Sequence, residues 1–276
     1  MQALKTQGID LPVLGFGTFP MQGSECQSAV EGALSLGYRH LDTAEMYGNE
    51  REVGAAMASS GIKRGDIHLT TKVWHDHLGR DALRRAFDAS LERLKVDYVD
   101  LYLVHWPSPT MNLGEIFEVL LQLRDQGRTR AIGVANFTTA LLRRAVEDIR
   151  APIACNQVEY HALLDQTAVL TYLQSKSIPL VAYCPLAKGR VAEQPGLVAI
   201  ARKHNATPAQ VALKWLIDQP GVAAIPKAQH PERQAANLAA LQLQLDDDDR
   251  RTIAALPKNV RCVNPAFAPA WDAASP

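Results

Sequence analysis

Four residues of different chemistry stand where short apolar runs end. Asp42 closes YRHLDTA, Tyr47 follows in the next turn, Lys72 closes IHLTTK and His105 closes YVDLYLVH. A buried strand that stops on an ionisable group needs a reason, because unpaired charge in an apolar setting costs on the order of several kcal/mol or shifts its pKa until it is neutral. Gathered in one place, the four would satisfy one another, an ammonium against a carboxylate with a phenol and an imidazole alongside. Such a set can stabilise charge growing on an oxygen and then hand that oxygen a proton. Each residue also has an ordinary reading: Asp42 and Lys72 as a structural ion pair, Tyr47 as a loop anchor, His105 as a hydrogen-bonded histidine at a strand end.

The elements that must carry these residues alternate. After an opening that fits a hairpin, short β-type runs are expected at Leu14–Thr18, Tyr38–Thr43, Ile67–Val73, Val99–Val104, Ala131–Val134, Ala154–Val158, Pro179–Tyr183 and Val222–Ile225, with amphipathic segments between them. Eight βα units close a barrel, and barrel enzymes work at the C-terminal ends of their strands. Apolar residues recur at three and four between Ser90 and Leu94 and between Ile116 and Leu123, as in helices lying on a sheet. Ser24 with Gln27 fits a capping box, and Thr207-Pro208-Ala209-Gln210 fits one more strongly, predicting a helix over Pro208–Ile217. The acidic run Asp246 to Asp249 precedes RRTIAAL, where negative charge favours a helix N-terminus. From Pro257 the helical period fades, and Pro265, Pro269 and Trp271 suggest a tail over one end of the barrel. No linker or low-complexity block divides the chain, so residues 1–276 are expected to form a single (β/α)8 TIM barrel, an α/β domain with a short N-terminal hairpin and a C-terminal tail over its mouth.

Composition narrows the function. Lys plus Arg and Asp plus Glu both total 29, so no net field draws the chain to nucleic acid or to a charged membrane. The opening MQALKTQGIDLP lacks a basic segment followed by an apolar run, and a cytoplasmic monomer is expected. Cys26, Cys155, Cys184 and Cys262 are scattered, which favours reduced thiols over a disulfide framework or a zinc site.

The ordered segments GFGTF, HLDTAEMYGNE, TTKVW, LVHWP, IGVANF, NQVEYH, AYCPL and IPKAQHPERQAANL resemble the aldo-keto reductase family along nearly the whole chain. Within it the likeness is to the branch of bacterial 2,5-diketo-D-gluconate reductases, which also reduce methylglyoxal and other small aldehydes. The resemblance implies a catalytic tetrad of Asp42, Tyr47, Lys72 and His105, with NADPH delivering hydride to a carbonyl carbon. Tyr47 would then be the proton donor. A phenol has an unperturbed pKa of about 10, and a neighbouring Lys72 ammonium held by Asp42 is expected to ease its ionisation. His105 would orient the carbonyl oxygen.

No G-x-G-x-x-G follows the first strand, so a Rossmann site is not expected. By resemblance, Asn136 and Gln157 grip the nicotinamide carboxamide and Tyr183 stacks on the ring, with Gly17, Thr18, Pro185 and Leu186 also lining the cofactor. Asn and Gln suit an amide because each both donates and accepts. Their ordinary readings are a helix cap, a strand-end bond and a core aromatic. After the eighth strand, Lys227 and Arg233 would hold the adenosine 2′-phosphate, with Asn237 nearby, favouring NADPH over NADH. Ala135, Cys184, Ala228 and Ala236 replace polar residues usual in the family, and the loop after Tyr183 is short, so fast cofactor exchange is expected.

Phe19, Trp74, Trp106 and Trp271 are expected to form an apolar collar around a small carbonyl substrate, with core packing as the alternative. His75, His77 and His161 are not expected to bind a metal. Rival functions from other classes are a cofactor-sensing regulatory subunit and a phosphate-binding barrel lyase or isomerase.

Overall fold

The computed structural model describes residues 2–273; Met1, Ala274, Ser275 and Pro276, the ends of the expected 1–276 domain, lie outside the described residues. Two strands open the chain, β1 (Ala3–Thr6) and β2 (Ile9–Pro12), paired antiparallel as the expected hairpin. There follow β3 (Phe16–Gly17), α1 (Gly23–Leu36), β4 (His40–Asp42), α2 (Glu50–Ser59), β5 (His68–Val73), α3 (Arg80–Leu94), β6 (Val99–Val104) and α4 (Leu113–Asp125). The second half runs β7 (Thr129–Ala135), α5 (Thr139–Arg143), β8 (Ile153–Glu159), α6 (Thr167–Ser175), β9 (Leu180–Tyr183), α7 (Pro195–Lys203), α8 (Pro208–Ile217), β10 (Val222–Ala224), α9 (Pro231–Ala239) and α10 (Asp247–Ala254).

Strands β3 to β10 pair in parallel in strict chain order, forming an eight-stranded sheet. The sheet curls until its edges meet: Gly15 N–H donates to Ala224 O at 2.8 Å, and Ala224 N–H to Val13 O at 2.8 Å. The fold is thus the expected (β/α)8 barrel. Its strands are covered on both faces, and every residue of β5, β6 and β8 is buried rather than every second one. The hairpin plugs the N-terminal end, where Ile9 and Leu11 pack with Leu101, Leu103, Val181 and Ala223. Thr6 Oγ1 is tied to Ala154 O at 2.9 Å. That closure leaves only the C-terminal end open, and residues 257–273 cross it without helix or strand.

Two local expectations need correction. The first barrel strand is shorter than Leu14–Thr18, with Leu14 making one isolated bridge to Ala224. The Ser24 and Gln27 capping box does not form: α1 begins at Gly23, Gln27 turns forward to Glu31, and Gln22 spends its amide on the Tyr47 carbonyl. The boxes at Thr207 with Gln210 and at Asp246 with Asp249 both close, and α8 occupies Pro208–Ile217. Among the described residues no helix is long and apolar enough to cross a membrane.

Candidate active site

The register of the parallel strands explains why residues far apart in sequence meet. Gly17 is level with Asp42, Asp42 with Thr70 and Lys72 with Leu103, so the ends of β3 to β6 share one rim. Lys72 and Asp42 lie inside that rim with side chains 0% and 2% exposed, and Lys72 Nζ donates to Asp42 Oδ1 at 2.6 Å. The ammonium also donates to Thr43 O at 2.8 Å and to the Tyr47 hydroxyl oxygen at 3.3 Å. With its oxygen lone pair engaged by Lys72, the Tyr47 O–H is free to point into the mouth. The His105 ring stands 5.4 Å from that of Tyr47 at 76°. All four expected residues are therefore neighbours.

The electrostatics differ from the sequence expectation in one respect. Lys72 was expected to ease ionisation of Tyr47, but burial and the Asp42 charge push the phenol well above its ordinary range. Asp42 sits on the ammonium and cancels much of its field, so desolvation wins. The phenol is neutral at working pH and keeps its proton until an acceptor oxygen with growing charge approaches. Burial likewise pulls Lys72 down, against the opposing pull of Asp42. His105 is held well below the usual imidazole range by burial, then by the Lys72 charge, and so is neutral. Its Nδ1 is buried without a partner among the described residues.

A further ring of contacts, which the sequence reading did not single out, fixes the loop that carries Tyr47. Asn49 accepts from Thr43 Oγ1 at 2.7 Å and donates to Thr18 O and Met21 O at 3.2 and 3.0 Å. Glu50 accepts from Thr71 Oγ1 at 2.5 Å and from Arg93 Nε at 2.7 Å. Glu45 accepts from the Trp74 N–H. The signal was present in HLDTAEMYGNE, where Asn49 and Glu50 open a helix yet are buried; a polar pair at that position has to be hydrogen-bonded.

The cofactor candidates lie around the other half of the mouth. Asn136 adopts a left-handed φ of 61°, which Asn tolerates, as β7 ends. Its Nδ2 donates to His105 O at 2.9 Å, and its Oδ1 accepts from the Tyr183 hydroxyl at 2.8 Å. Gln157 Nε2 donates to Asp42 Oδ2 at 2.8 Å. Each amide thus positions a neighbour while its remaining N–H and carbonyl capacity could serve a carboxamide. Gly17 and Thr18 are buried beneath, and a Cβ at Gly17 would lie 2.8 Å from Ile225 O. Beyond Tyr183, Cys184, Ala187 and Lys188 all have positive φ without being glycine, a run of strained backbone around Pro185 and Leu186. Such strain is typical of ligand-clamping segments.

At the far edge, Lys227 and Arg233 are exposed, and their side chains make no hydrogen bond or ion pair among the described residues. They flank the start of α9, whose first turn has no side-chain cap, and Asn237 is buried one turn on. Two cationic side chains, unpaired among the described residues and flanking the start of one helix, could together receive a phosphate monoester.

The four aromatic residues expected to line the substrate lie near the tetrad and the tail, and a fifth joins them. Trp74 packs edge-on to His105 at 5.2 Å, Phe19 is 52% exposed with its ring 5.0 Å from Tyr47, and Trp106 meets Trp271 at 6.0 Å. Phe267 of the tail bridges Trp74 and Trp106 at 5.6 and 5.5 Å. His75 packs on Trp74 and Phe267, and His77 pairs with Glu45. His161 joins Glu159 and Cys262 in a cluster of potential metal ligands. There, however, His161 Nδ1 accepts from Leu163 N–H, which leaves Nε2 carrying the proton toward Glu159. That nitrogen is a donor, and the cluster is better described as a hydrogen-bonded anchor.

The barrel is thus closed at one end, with an ammonium, carboxylate, phenol and imidazole meeting at the other. The model of the aldo/keto reductase family matches residues 13–258, and the chain belongs to that family of oxidoreductases acting on carbonyl groups. It is 41% identical to methylglyoxal reductase DkgB of Escherichia coli O157:H7 over 266 residues, covering 95% of this chain and 99% of the relative. It is 38% identical to glyoxal reductase of Bacillus subtilis strain 168, covering 92% of each. Among solved structures, one provisionally assigned as a 2,5-diketo-D-gluconic acid reductase B aligns with a TM-score of 0.96 at 43% identity, over 99% of this chain and 98% of that one. Aldose reductase from Schistosoma japonicum aligns at 0.92 and 30% identity, over 98% and 99%.

Proposed function

We propose that this chain is an NADPH-dependent reductase of small aldehydes and ketones, methylglyoxal and keto-sugar acids among them, with Tyr47 as the proton donor. The observation that carries the reading is the Lys72 ammonium 2.6 Å from Asp42 and 3.3 Å from the Tyr47 hydroxyl, at the one open end of the barrel. When bound, the reduced nicotinamide supplies the hydride. The chain's own residues do the rest. Tyr47 and neutral His105 direct hydrogen-bond donors at the carbonyl oxygen, and the phenol gives up its proton as that oxygen gains charge. Lys72 steadies the resulting phenolate, and Asp42 and Thr43 hold the ammonium in place. Asn136 and Gln157 hold the carboxamide, Tyr183 backs the ring, and Lys227, Arg233 and Asn237 hold the adenosine end. Trp74, Trp106, Phe19 and Trp271 exclude water from the reacting carbon.

The same reading takes residues 1–276 as one domain acting as a cytoplasmic monomer. The balanced charge of 29 basic and 29 acidic residues supports a small-molecule substrate over nucleic acid. The test is NADPH consumption with methylglyoxal by the parent chain and by Tyr47→Phe. The variant should bind NADPH as the parent does, by fluorescence titration, and lose at least about a hundredfold in kcat. Near-normal turnover in Tyr47→Phe would defeat the mechanism.

A further inference from the structure

The tail that crosses the barrel mouth is fastened at its root. Glu159, at the end of β8 and 1% exposed, accepts from Cys262 N–H at 2.6 Å and from Val263 N–H at 2.9 Å, and pairs with His161 at 3.0 Å. Val260 N–H donates to Leu163 O at 2.9 Å, and Lys188 Nζ to Cys262 O at 3.0 Å. The backbone on both sides of Arg261 is therefore fixed.

The Arg261 guanidinium lies 4.0 Å over the ring of Trp271. Trp271 is itself held by an indole hydrogen bond to Asn264 at 2.8 Å and packs on Trp106, the residue after His105. Stacking keeps the planar fork oriented. Its Nη1 is out of solvent and has no acceptor among the described residues. Because Trp271 packs on Trp106, the stacked guanidinium lies where the tail meets the mouth, and the Glu159 carboxylate acts on its charge. Yet the Glu159 oxygens already serve the tail amides and His161, and the described residues include no ion pair to Arg261. A buried cationic N–H with no acceptor is unfavourable in the free protein, and an anionic oxygen arriving there would relieve it.

We propose that Arg261 receives a carboxylate carried by the substrate, so that the chain prefers carbonyl compounds bearing an acid group over neutral ones of the same shape. This rests on the reading of the mouth as a carbonyl-reducing site. A flat, stacked guanidinium matches a carboxylate through two parallel hydrogen bonds, which a lysine would not.

The test compares matched pairs, 4-carboxybenzaldehyde with benzaldehyde and succinic semialdehyde with butanal, by NADPH consumption. The parent should favour the acid member in kcat/KM, and Arg261→Gln should cut that preference by about tenfold or more, the effect of losing a charged hydrogen bond. Arg261→Lys should keep only part of it. Benzoate should compete with the aldehyde in the parent and bind about tenfold more weakly to Arg261→Gln by calorimetry. An unchanged acid-to-neutral ratio in Arg261→Gln overturns the proposal. So does an equal loss on both members, which marks a purely structural role, or a loss confined to KM for NADPH, which assigns the guanidinium to a cofactor phosphate. If the parent reduces neither member of either pair, the reductase reading fails, and the benzoate titration still decides whether Arg261 holds a carboxylate.

Discussion

Replacing Lys72 by Met removes the ammonium and leaves the Asp42 carboxylate, 2% exposed, with Gln157 as its only remaining side-chain donor among the described residues. Breaking a buried pair from one side costs about 3–5 kcal/mol, because the surviving charge stays out of water or must take a proton. For a chain of 276 residues that corresponds to a fall of roughly 10 °C in the unfolding midpoint. Lys72→Met also strips the Tyr47 oxygen of its donor at 3.3 Å, so turnover should drop by about a hundredfold or more. The double variant Asp42→Asn with Lys72→Met separates the two effects. An Asn at that position still accepts from Gln157 and carries no charge, so most of the lost stability should return while turnover does not. Urea unfolding and NADPH consumption measured on the parent and both variants decide the matter. A single variant within about 1 kcal/mol of the parent would show that the pair is not dry. Recovery of turnover in the double variant would show that Asp42 and Lys72 are structural, and the chemical role given to them would be wrong.

Arg233→Ala should weaken NADPH binding by about tenfold or more and leave NADH nearly unchanged, since only the former carries a 2′-phosphate; equal effects on both in a fluorescence titration would remove Arg233 from that role. The barrel interior should make the protein acid-sensitive. His40 and His68 are buried with rings 4.6 Å apart, and burial pulls His40 down to about 4 and His68 well below the usual range. Between pH 6.5 and about 4 the unfolded chain binds more protons than the folded one, so stability falls as pH falls through that window, by up to about 3 kcal/mol for His40. Urea midpoints that are flat from pH 7 to 4.5 would contradict this. Gly54 sits where α2 crosses the end of α3, and a Cβ there would come 2.3 Å from Leu94 O, a backbone atom that cannot swing aside. Gly54→Ala should therefore lose at least about 1–3 kcal/mol, and a variant as stable as the parent by thermal unfolding would refute the close approach.

Much of this molecule was legible in one dimension because the relevant forces are local. Apolar runs of strand length alternate with helix-period segments, and that period alone implies a parallel sheet wrapped in helices. Thr207-Pro208-Ala209-Gln210 and the Asp246 run announce their helices because capping is satisfied within four residues. The ionisable strand ends at Asp42, Lys72 and His105 stood out because burial makes such residues anomalous. Ser24 and Gln27 misled for the complementary reason: Gln22 and Gln27 found better partners in Tyr47 O and Glu31.

Tertiary structure decided what depends on distance between remote residues and on solvent. Only the closed barrel shows that Gln157 steadies Asp42 across 115 residues, that Glu159 fastens the tail across more than a hundred, and that Phe267 completes the collar. It also reversed the expected direction at Tyr47, since the types of neighbouring charge were readable from the chain but the depth of burial was not. Arg261 is the plainest case: in sequence it is one basic residue among two valines and a cysteine, and its Nη1, without an acceptor among the described residues, is out of water only because the folded tail stacks it on Trp271. Sequence sets which groups are available and which segments repeat, through interactions spanning a few residues; dielectric environment and unmet hydrogen bonds arise only when the whole chain has closed around them.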